Sequence, residues 1–151
     1  MSGFVMGMGI ILISFFIQVG TVTTTSILVS IPIFILVGGI NLANNIRDYD
    51  GDKDFGRRTL AVLLGRKNAI ILLASLFTVS YAWVFILIVL GYTSAWLAIV
   101  VLSAPIAIKA IKGFIGKTAA IQMMPAMKAT AQTNTIFGFL LSIGLCLGYF
   151  L

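Results

Sequence analysis

Five long apolar segments, separated by polar linkers, divide the chain. The segments are residues 3–19, 27–43, 69–90, 95–111 and 131–151. Each comes close to the roughly 20 apolar residues with which an α-helix crosses a bilayer. The apolar runs are continuous and lack the two-residue alternation of membrane-barrel strands. The pattern therefore predicts an all-α membrane protein, a bundle of five transmembrane helices in a single domain over residues 1–151.

Composition supports a membrane protein and excludes a soluble domain. Hydrophobic residues make up 60% of the chain and charged residues only 9%, whereas soluble domains carry about 25% charged residues. The apolar segments recur to the end of the chain, so a single removable signal peptide does not explain them. The one cysteine, Cys146, lies in an apolar run and gives no disulfide framework.

Positive charge predicts how the helices are oriented. The net charge is +6, and all ten Lys and Arg residues lie in or beside the linkers 44–68 and 112–130. Because cationic loops stay on the cytoplasmic side, both linkers are predicted to be cytoplasmic loops, with the N-terminus inside and the C-terminus outside. Basic residues that border spans meet anionic headgroups, so the expected partner is the lipid bilayer and not nucleic acid.

The acidic residues are confined to one short stretch. All four lie within residues 48–54 of the first cytoplasmic loop. On a helix that advances about 100° per residue, one stripe holds Asn41, Asn45, Asp48 and Asp52. Asp50 and Asp54 are predicted on the opposite side, and Gly51 is a candidate position for a break in the helix. Two carboxylates one turn apart, with carboxamides beside them, suit Mg²⁺, which takes one or two carboxylates plus substrate phosphates.

Basic residues follow the acidic stretch within the same loop. They include Arg57, Arg58 and Arg66, and the planar guanidinium binds phosphate through two hydrogen bonds. Cation-binding oxygens and phosphate-binding arginines together predict a diphosphate site. The competing interpretation is that the basic residues serve only orientation and that Asp50 and Asp54 serve only hydration of the loop.

Two other cation-binding functions fit the sequence less well. An EF-hand starting at Asp48 would have Lys53 in place of its glycine and Thr59 in place of its bidentate glutamate. A cation transporter would need a carboxylate within a span, and the predicted spans contain none.

Residues 44–66, with the sequence NNIRDYDGDKDFGRRTLAVLLGR, resemble a known motif. The stretch is similar to the second aspartate-rich motif of UbiA-type intramembrane prenyltransferases. Its NNxRDxxxD opening and GxxTLAV close most resemble the MenA branch, the 1,4-dihydroxy-2-naphthoate polyprenyltransferases of menaquinone synthesis. Weaker similarity extends across the whole chain, including residues 122–128 and 130–135.

The resemblance implies a fold and an activity. The family fold has nine spans and two aspartate motifs that face each other across a cytoplasmic-side cavity, and this chain resembles the C-terminal five spans with one motif. The implied reaction transfers a polyprenyl group from a polyprenyl diphosphate to an aromatic acceptor, here 1,4-dihydroxy-2-naphthoate, with Mg²⁺. The residues assigned to the metal are Asp48, Asp52 and Asn45, with the two aspartates as catalytic residues. Those assigned to the substrate are Asn45, Arg47, Lys53, Arg57 and Arg58.

The resemblance also implies a location and an alternative function. The protein is expected to be multi-pass in the bacterial cell membrane, with the active loop on the cytoplasmic side. Since the first aspartate motif has no counterpart in this chain, the alternative is a non-catalytic remnant or a partner subunit. Such a subunit would need a partner chain that carries the missing N-terminal spans.

Overall fold

The computed structural model describes residues 4–150, which form a helical bundle. The helices are α1 (Ile10–Val19), which continues a π-helical segment at Phe4–Gly9, α2 (Thr24–Arg47), α3 (Tyr49–Asp54), α4 (Leu60–Leu64), α5 (Arg66–Val89), α6 (Ala104–Phe114), which continues a 3₁₀ segment at Ala95–Ser103, and α7 (Ala120–Phe150). The described residues contain no strand. The predicted all-α class is confirmed.

Four helices are long and apolar enough to cross a membrane. They are Thr24–Arg47, Arg66–Val89, Ala95–Phe114 and Ala120–Phe150. The first predicted span is a shorter apolar helix at Val5–Val19. Residues 3 and 151, at the outer ends of the first and last predicted spans, lie outside the described residues. The chain is an integral, multi-pass membrane protein.

The helices extend beyond the apolar segments that predicted them. Helix α2 continues to Arg47, α5 begins at Arg66, and α7 begins at Ala120, within the stretch predicted as a loop over 112–130. Hydrophobicity marks only the part of a helix that lies in hydrocarbon, whereas the backbone hydrogen-bond ladder continues through polar residues. Pro125 is the sixth residue of α7, so its missing N–H removes one backbone hydrogen bond, the one that would reach the Ile121 carbonyl.

Helix α2 occupies the centre of the bundle and packs against α5 and α7. The side chains of Leu36, Leu73 and Phe137 are fully buried in this core. Helix α7 also packs against the 3₁₀ segment, so closely that a Cβ added to Gly144 would lie 2.9 Å from the carbonyl oxygen of Trp96. Small residues at such crossings let two backbones approach, which is how helices commonly associate within a bilayer.

Polar side chains in the bundle are satisfied locally or across helices. Buried Thr130 and Thr133 donate to carbonyl oxygens one turn earlier in α7. The Tyr81 and Ser103 hydroxyls are 2.7 Å apart and join α5 to the 3₁₀ segment. The Trp83 Nε1 donates to the Leu28 carbonyl at 2.9 Å and joins α5 to α2. These bonds stabilise the middle of the bundle, and the charged residues collect at the end where α2 leads to α5.

Candidate functional site

Residues 48–54, which we call the acidic segment, continue the helical path of α2 after one irregular residue. Asp48 separates α2 from α3 with φ −88° and ψ 8°. The Asp48 amide still donates to the Asn44 carbonyl at 2.9 Å, and the Asp52 amide donates to the Asp48 carbonyl at 2.8 Å. The helical path therefore carries Asp48 and Asp52 one turn apart. The break considered at Gly51 is absent, because Gly51 lies inside α3 and the irregular residue is Asp48.

The acidic segment lines a cavity of about 380 Å³ with the start of α7. We call this space the acidic cavity. Its lining residues are Arg47, Asp48, Asp50, Gly51, Asp52, Phe55, Arg57, Thr118, Ala119 and Ala120. The two connections at this end of the bundle, from α2 to α5 and from α6 to α7, thus meet at one site.

Asp48 is held by a two-pronged ion pair with its neighbour. Arg47 donates from Nε to Oδ1 and from Nη2 to Oδ2 of Asp48, both at 2.7 Å. This hydrogen bonding is the main cause that lowers the pKa of Asp48 below its usual value, and the nearby charges of Arg47 and Arg57 add to it. The carboxylate is therefore ionised at neutral pH.

Asp52 is the buried carboxylate of the site. Its side chain is 9% exposed, and its Oδ1 accepts a hydrogen bond from Arg57 Nη1 at 3.3 Å. Arg57 itself is 71% exposed, and its backbone amide donates to the Asp52 carbonyl at 2.8 Å. A buried carboxylate needs a cation nearby, and the exposed guanidinium of Arg57 provides it.

Asp50 also contributes to the lining of the acidic cavity, but its side chain is 63% exposed, whereas that of Asp52 is 9% exposed. The Asp50 Oδ2 accepts a hydrogen bond from Arg66 Nη2 at 2.8 Å. The Arg66 guanidinium lies 4.8 Å from the centre of the Tyr49 ring. Asp50 thus pairs with an arginine of α5, whereas Asp48 and Asp52 pair with Arg47 and Arg57. The amide bonds of Asp48 and Asp52, each to the residue four positions earlier, keep the helical register across the irregular residue.

The structure brings some predicted site residues together and leaves others apart. Arg47, Asp48, Asp52 and Arg57 line one cavity. The other predicted substrate and metal residues lie outside its lining, and they are Asn45, Lys53 and Arg58. Lys53 and Arg58 are exposed beside the cavity, and so is Asp54.

One group of residues, and the partner of one predicted arginine, were missed from the sequence. Residues 118–120 complete the cavity, and Arg66 joins α5 to Asp50. For residues 118–120 the available signal was the predicted topology, which puts the loops 44–68 and 112–130 on one side of the membrane. The opposite charges of Asp50 and Arg66 were a weaker signal, because nothing in the spacing selects that arginine.

The carboxylates fit Mg²⁺ as partial ligands. Within residues 4–150 no cluster of three or more His, Cys, Asp or Glu side chains is arranged to enclose a metal ion. Mg²⁺ does not require such an enclosure, since it keeps several waters and binds through one or two carboxylates plus substrate phosphates. Asp48 and Asp52, one turn apart on one cavity, supply that pair.

Comparison with known proteins identifies the class. Residues 1–120 match the model of the UbiA prenyltransferase family, and the chain belongs to this family. The resemblance read from residues 44–66 is thereby confirmed.

Individual relatives give the comparison more detail. The chain is 56% identical over 149 residues to 1,4-dihydroxy-2-naphthoate octaprenyltransferase of Bacillus subtilis (strain 168), an alignment that covers 99% of this chain and 48% of that protein. It is 31% identical to the UbiA prenyltransferase domain-containing protein 1 homolog of Drosophila melanogaster, over 90% of this chain and 36% of the relative. It is 28% identical to the human UbiA prenyltransferase domain-containing protein 1, over 91% of this chain and 39% of the relative. No solved structure matches the chain.

The chain therefore spans about half the length, or less, of the curated relatives it matches.

Proposed function

We propose that this chain supplies the diphosphate-binding side of a prenyltransferase active site. The observation that carries the proposal is the acidic cavity, where two carboxylates one turn apart and their arginine partners line one space. The donor is a polyprenyl diphosphate and the acceptor is an aromatic acid. The name of the Bacillus subtilis relative points to 1,4-dihydroxy-2-naphthoate, and hence to menaquinone synthesis.

Substrate binding would exchange the partners of the charged residues. Each carboxylate of Asp48 and Asp52 is now paired with an arginine. A diphosphate that carries divalent cations offers anionic oxygens to Arg47 and Arg57 and positive charge to the carboxylates. Such an exchange conserves the number of charge pairs, so little charge is left uncompensated when water is displaced. Lys53 and Arg58, exposed beside the cavity, attract the anionic donor.

The proposed chemistry is mainly charge stabilisation. The bond between the allylic carbon and the diphosphate oxygen breaks, and the leaving group departs with the electron pair. Arg47 and Arg57 then hold the negative charge that develops on the diphosphate. Mg²⁺, when bound to Asp48 and Asp52, would neutralise further charge on the leaving group. The electron-rich ring carbon forms the new bond, and the ring carboxylate is lost as carbon dioxide.

The proposed location follows from the distribution of charge. The basic residues of the acidic segment lie at the end of the bundle that holds the cavity, and the positive-inside rule assigns this end to the cytoplasm. For a chain related to a Bacillus subtilis protein, the membrane is the bacterial cell membrane.

The test is prenyl transfer in proteoliposomes with Mg²⁺, a radiolabelled polyprenyl diphosphate and 1,4-dihydroxy-2-naphthoate. The chain is assayed alone and together with the half of the Bacillus subtilis relative that it does not cover. We expect turnover with the complementing half, and loss of turnover in the Asp52→Asn variant. Turnover that survives both Asp48→Asn and Asp52→Asn would overturn the proposal.

A second candidate function is a partner subunit without activity of its own, because the acidic residues form a single aspartate-rich stretch at 48–54. It predicts no turnover by the chain alone and recovery when the complementing half is added. Family-like turnover by the chain alone would exclude it.

A further inference from the structure

A groove separate from the acidic cavity runs along α5 and α6. It consists of two adjoining spaces of about 630 and 420 Å³, which share Ala74, Ile111 and Ile115 in their linings. We call it the α5–α6 groove. It extends from the loop before α7 to Tyr81 in the middle of α5. The exposed side chains of Ile71 and Ile115 border it, so it is accessible from the surface of the bundle.

Three lysines at the loop end of the groove have no carboxylate partner. Lys67 and Lys117 line one of the two spaces and Lys112 lines the other. The only acidic residues of the chain lie within 48–54, and the ion pairs among residues 4–150 join Asp48, Asp50 and Asp52 to arginines. The Lys117 ammonium donates to the Gln122 carbonyl at 3.1 Å, which leaves its positive charge uncompensated.

We propose that the α5–α6 groove binds one anionic glycerophospholipid. The headgroup phosphate would lie among the three lysines, and an acyl chain would follow the apolar lining past Ala74 and Ile111. This inference does not depend on the proposed prenyl transfer, because it uses none of the residues assigned to the reaction.

Charge distinguishes this ligand from the prenyl donor. A diphosphate bridged by Mg²⁺ requires carboxylates, and the groove lining contains none. A phosphodiester carries a single negative charge and requires only cations, which lysine provides as a compact, hydrated charge. Basic residues at the membrane surface favour anionic lipids by about 1 kcal/mol each, which is about five-fold in affinity.

The test is a lipid titration followed by native mass spectrometry of the detergent-solubilised chain. The probes are phosphatidylglycerol and phosphatidylcholine with the same acyl chains. We expect one phosphatidylglycerol to bind in preference to phosphatidylcholine. In the Lys67→Gln/Lys117→Gln variant, affinity for phosphatidylglycerol should fall about 25-fold, five-fold for each lysine. The matched control is Lys109→Gln, an exposed lysine of α6 outside the groove lining, and it should bind as the unmodified chain does.

A second variant tests the apolar part of the groove without changing charge. Ala74→Phe places a ring where the two spaces join, and it should weaken retention of phosphatidylglycerol. Its control is Ser75→Phe, one residue further along α5, exposed and outside the lining.

Three results would overturn the proposal. One is equal retention of the two lipids, and another is unchanged phosphatidylglycerol affinity in the double lysine variant. The third is one-for-one displacement of the lipid by a polyprenyl diphosphate without Mg²⁺, which would assign the groove to the prenyl donor.

Discussion

The acidic cavity and the α5–α6 groove adjoin each other, but charge is compensated within the cavity and is not compensated among the lysines of the groove. Thr118 lines both, and the Arg66–Asp50 ion pair joins a groove residue to a cavity residue. In the cavity, Asp48, Asp50 and Asp52 are each paired with an arginine, whereas the lysines of the groove have no carboxylate partner among residues 4–150. A balanced site suits a ligand that brings both signs of charge, such as a metal diphosphate. An unbalanced cationic site suits a simple anion.

The largest expected effect is on the rate of prenyl transfer at the acidic cavity. Asp48→Asn or Asp52→Asn, assayed with the complementing half, should lower the rate of prenyl transfer by about 10²- to 10³-fold, the usual cost of removing one preorganised charge-stabilising group. Asp54→Asn is the matched control, because Asp54 belongs to the same short helix but is exposed and outside the cavity lining. A loss in Asp54→Asn as large as in Asp52→Asn would remove the distinction between the four acids.

The next largest effect is expected at a close contact between α6 and α7, the two helices whose connection lines both the groove and the cavity. A Cβ added to Gly113 would lie 2.8 Å from the Cβ of Ala126, where α6 crosses α7. Gly113→Leu should therefore push the helices apart and lower the free energy of unfolding by about 1–3 kcal/mol, as overpacking does. Thermal unfolding in detergent measures the change. Gly51→Leu is the control, since a Cβ there meets no atom within 4 Å, and equal destabilisation by both would contradict the packing argument.

The ion pair between the two regions should have a smaller effect. Arg66→Gln removes the bond to Asp50 and the contact with the Tyr49 ring. We expect a loss of about 1 kcal/mol in stability, since exposed ion pairs and cation–π contacts each contribute up to roughly that amount. In a double-mutant cycle with Asp50→Asn, the two losses should not be additive. Additive losses would show that Arg66 and Asp50 do not interact.

The smallest expected effect is a shift in titration. The hydrogen bonds from Arg47 lower the pKa of Asp48, so its contribution to stability is present above the unfolded value and is lost as pH falls through the lowered folded value, below about pH 4. Arg47→Gln should raise the pKa of Asp48 toward its usual range. NMR of ¹³C-labelled aspartate carboxyls measures the shift, with Lys53→Gln as the control. An identical Asp48 titration in both variants would refute the role of Arg47.

Sequence alone predicted the parts of the molecule that depend on local pattern. Apolar length predicted the spans, and the confinement of all acids to residues 48–54 predicted the carboxylates that line the cavity. The helical repeat placed Asp48 and Asp52 one turn apart, which the Asp52 amide bond to Asp48 confirms.

Features that depend on tertiary contact could not be predicted in the same way. The pairing of Asp50 with Arg66, 16 residues further along the chain, is one such contact. The start of α7 was missed because residues 120–130 are helical without being uniformly apolar. Their contribution to the cavity depends on α6 and α7 returning the chain to the end of α2, and no local spacing encodes that approach.

The length of α7 has a consequence for where reactants meet. Its 31 residues, at about 1.5 Å rise per residue, extend roughly 46 Å, whereas the hydrocarbon layer is only about 30 Å thick. A helix of this length that is not strongly tilted projects through the headgroup layer. Its first residue borders the acidic cavity, so that cavity lies outside the hydrocarbon layer. Under the proposed function, hydrated magnesium and the charged diphosphate would reach it from water while the isoprenoid chain stays dissolved in the bilayer.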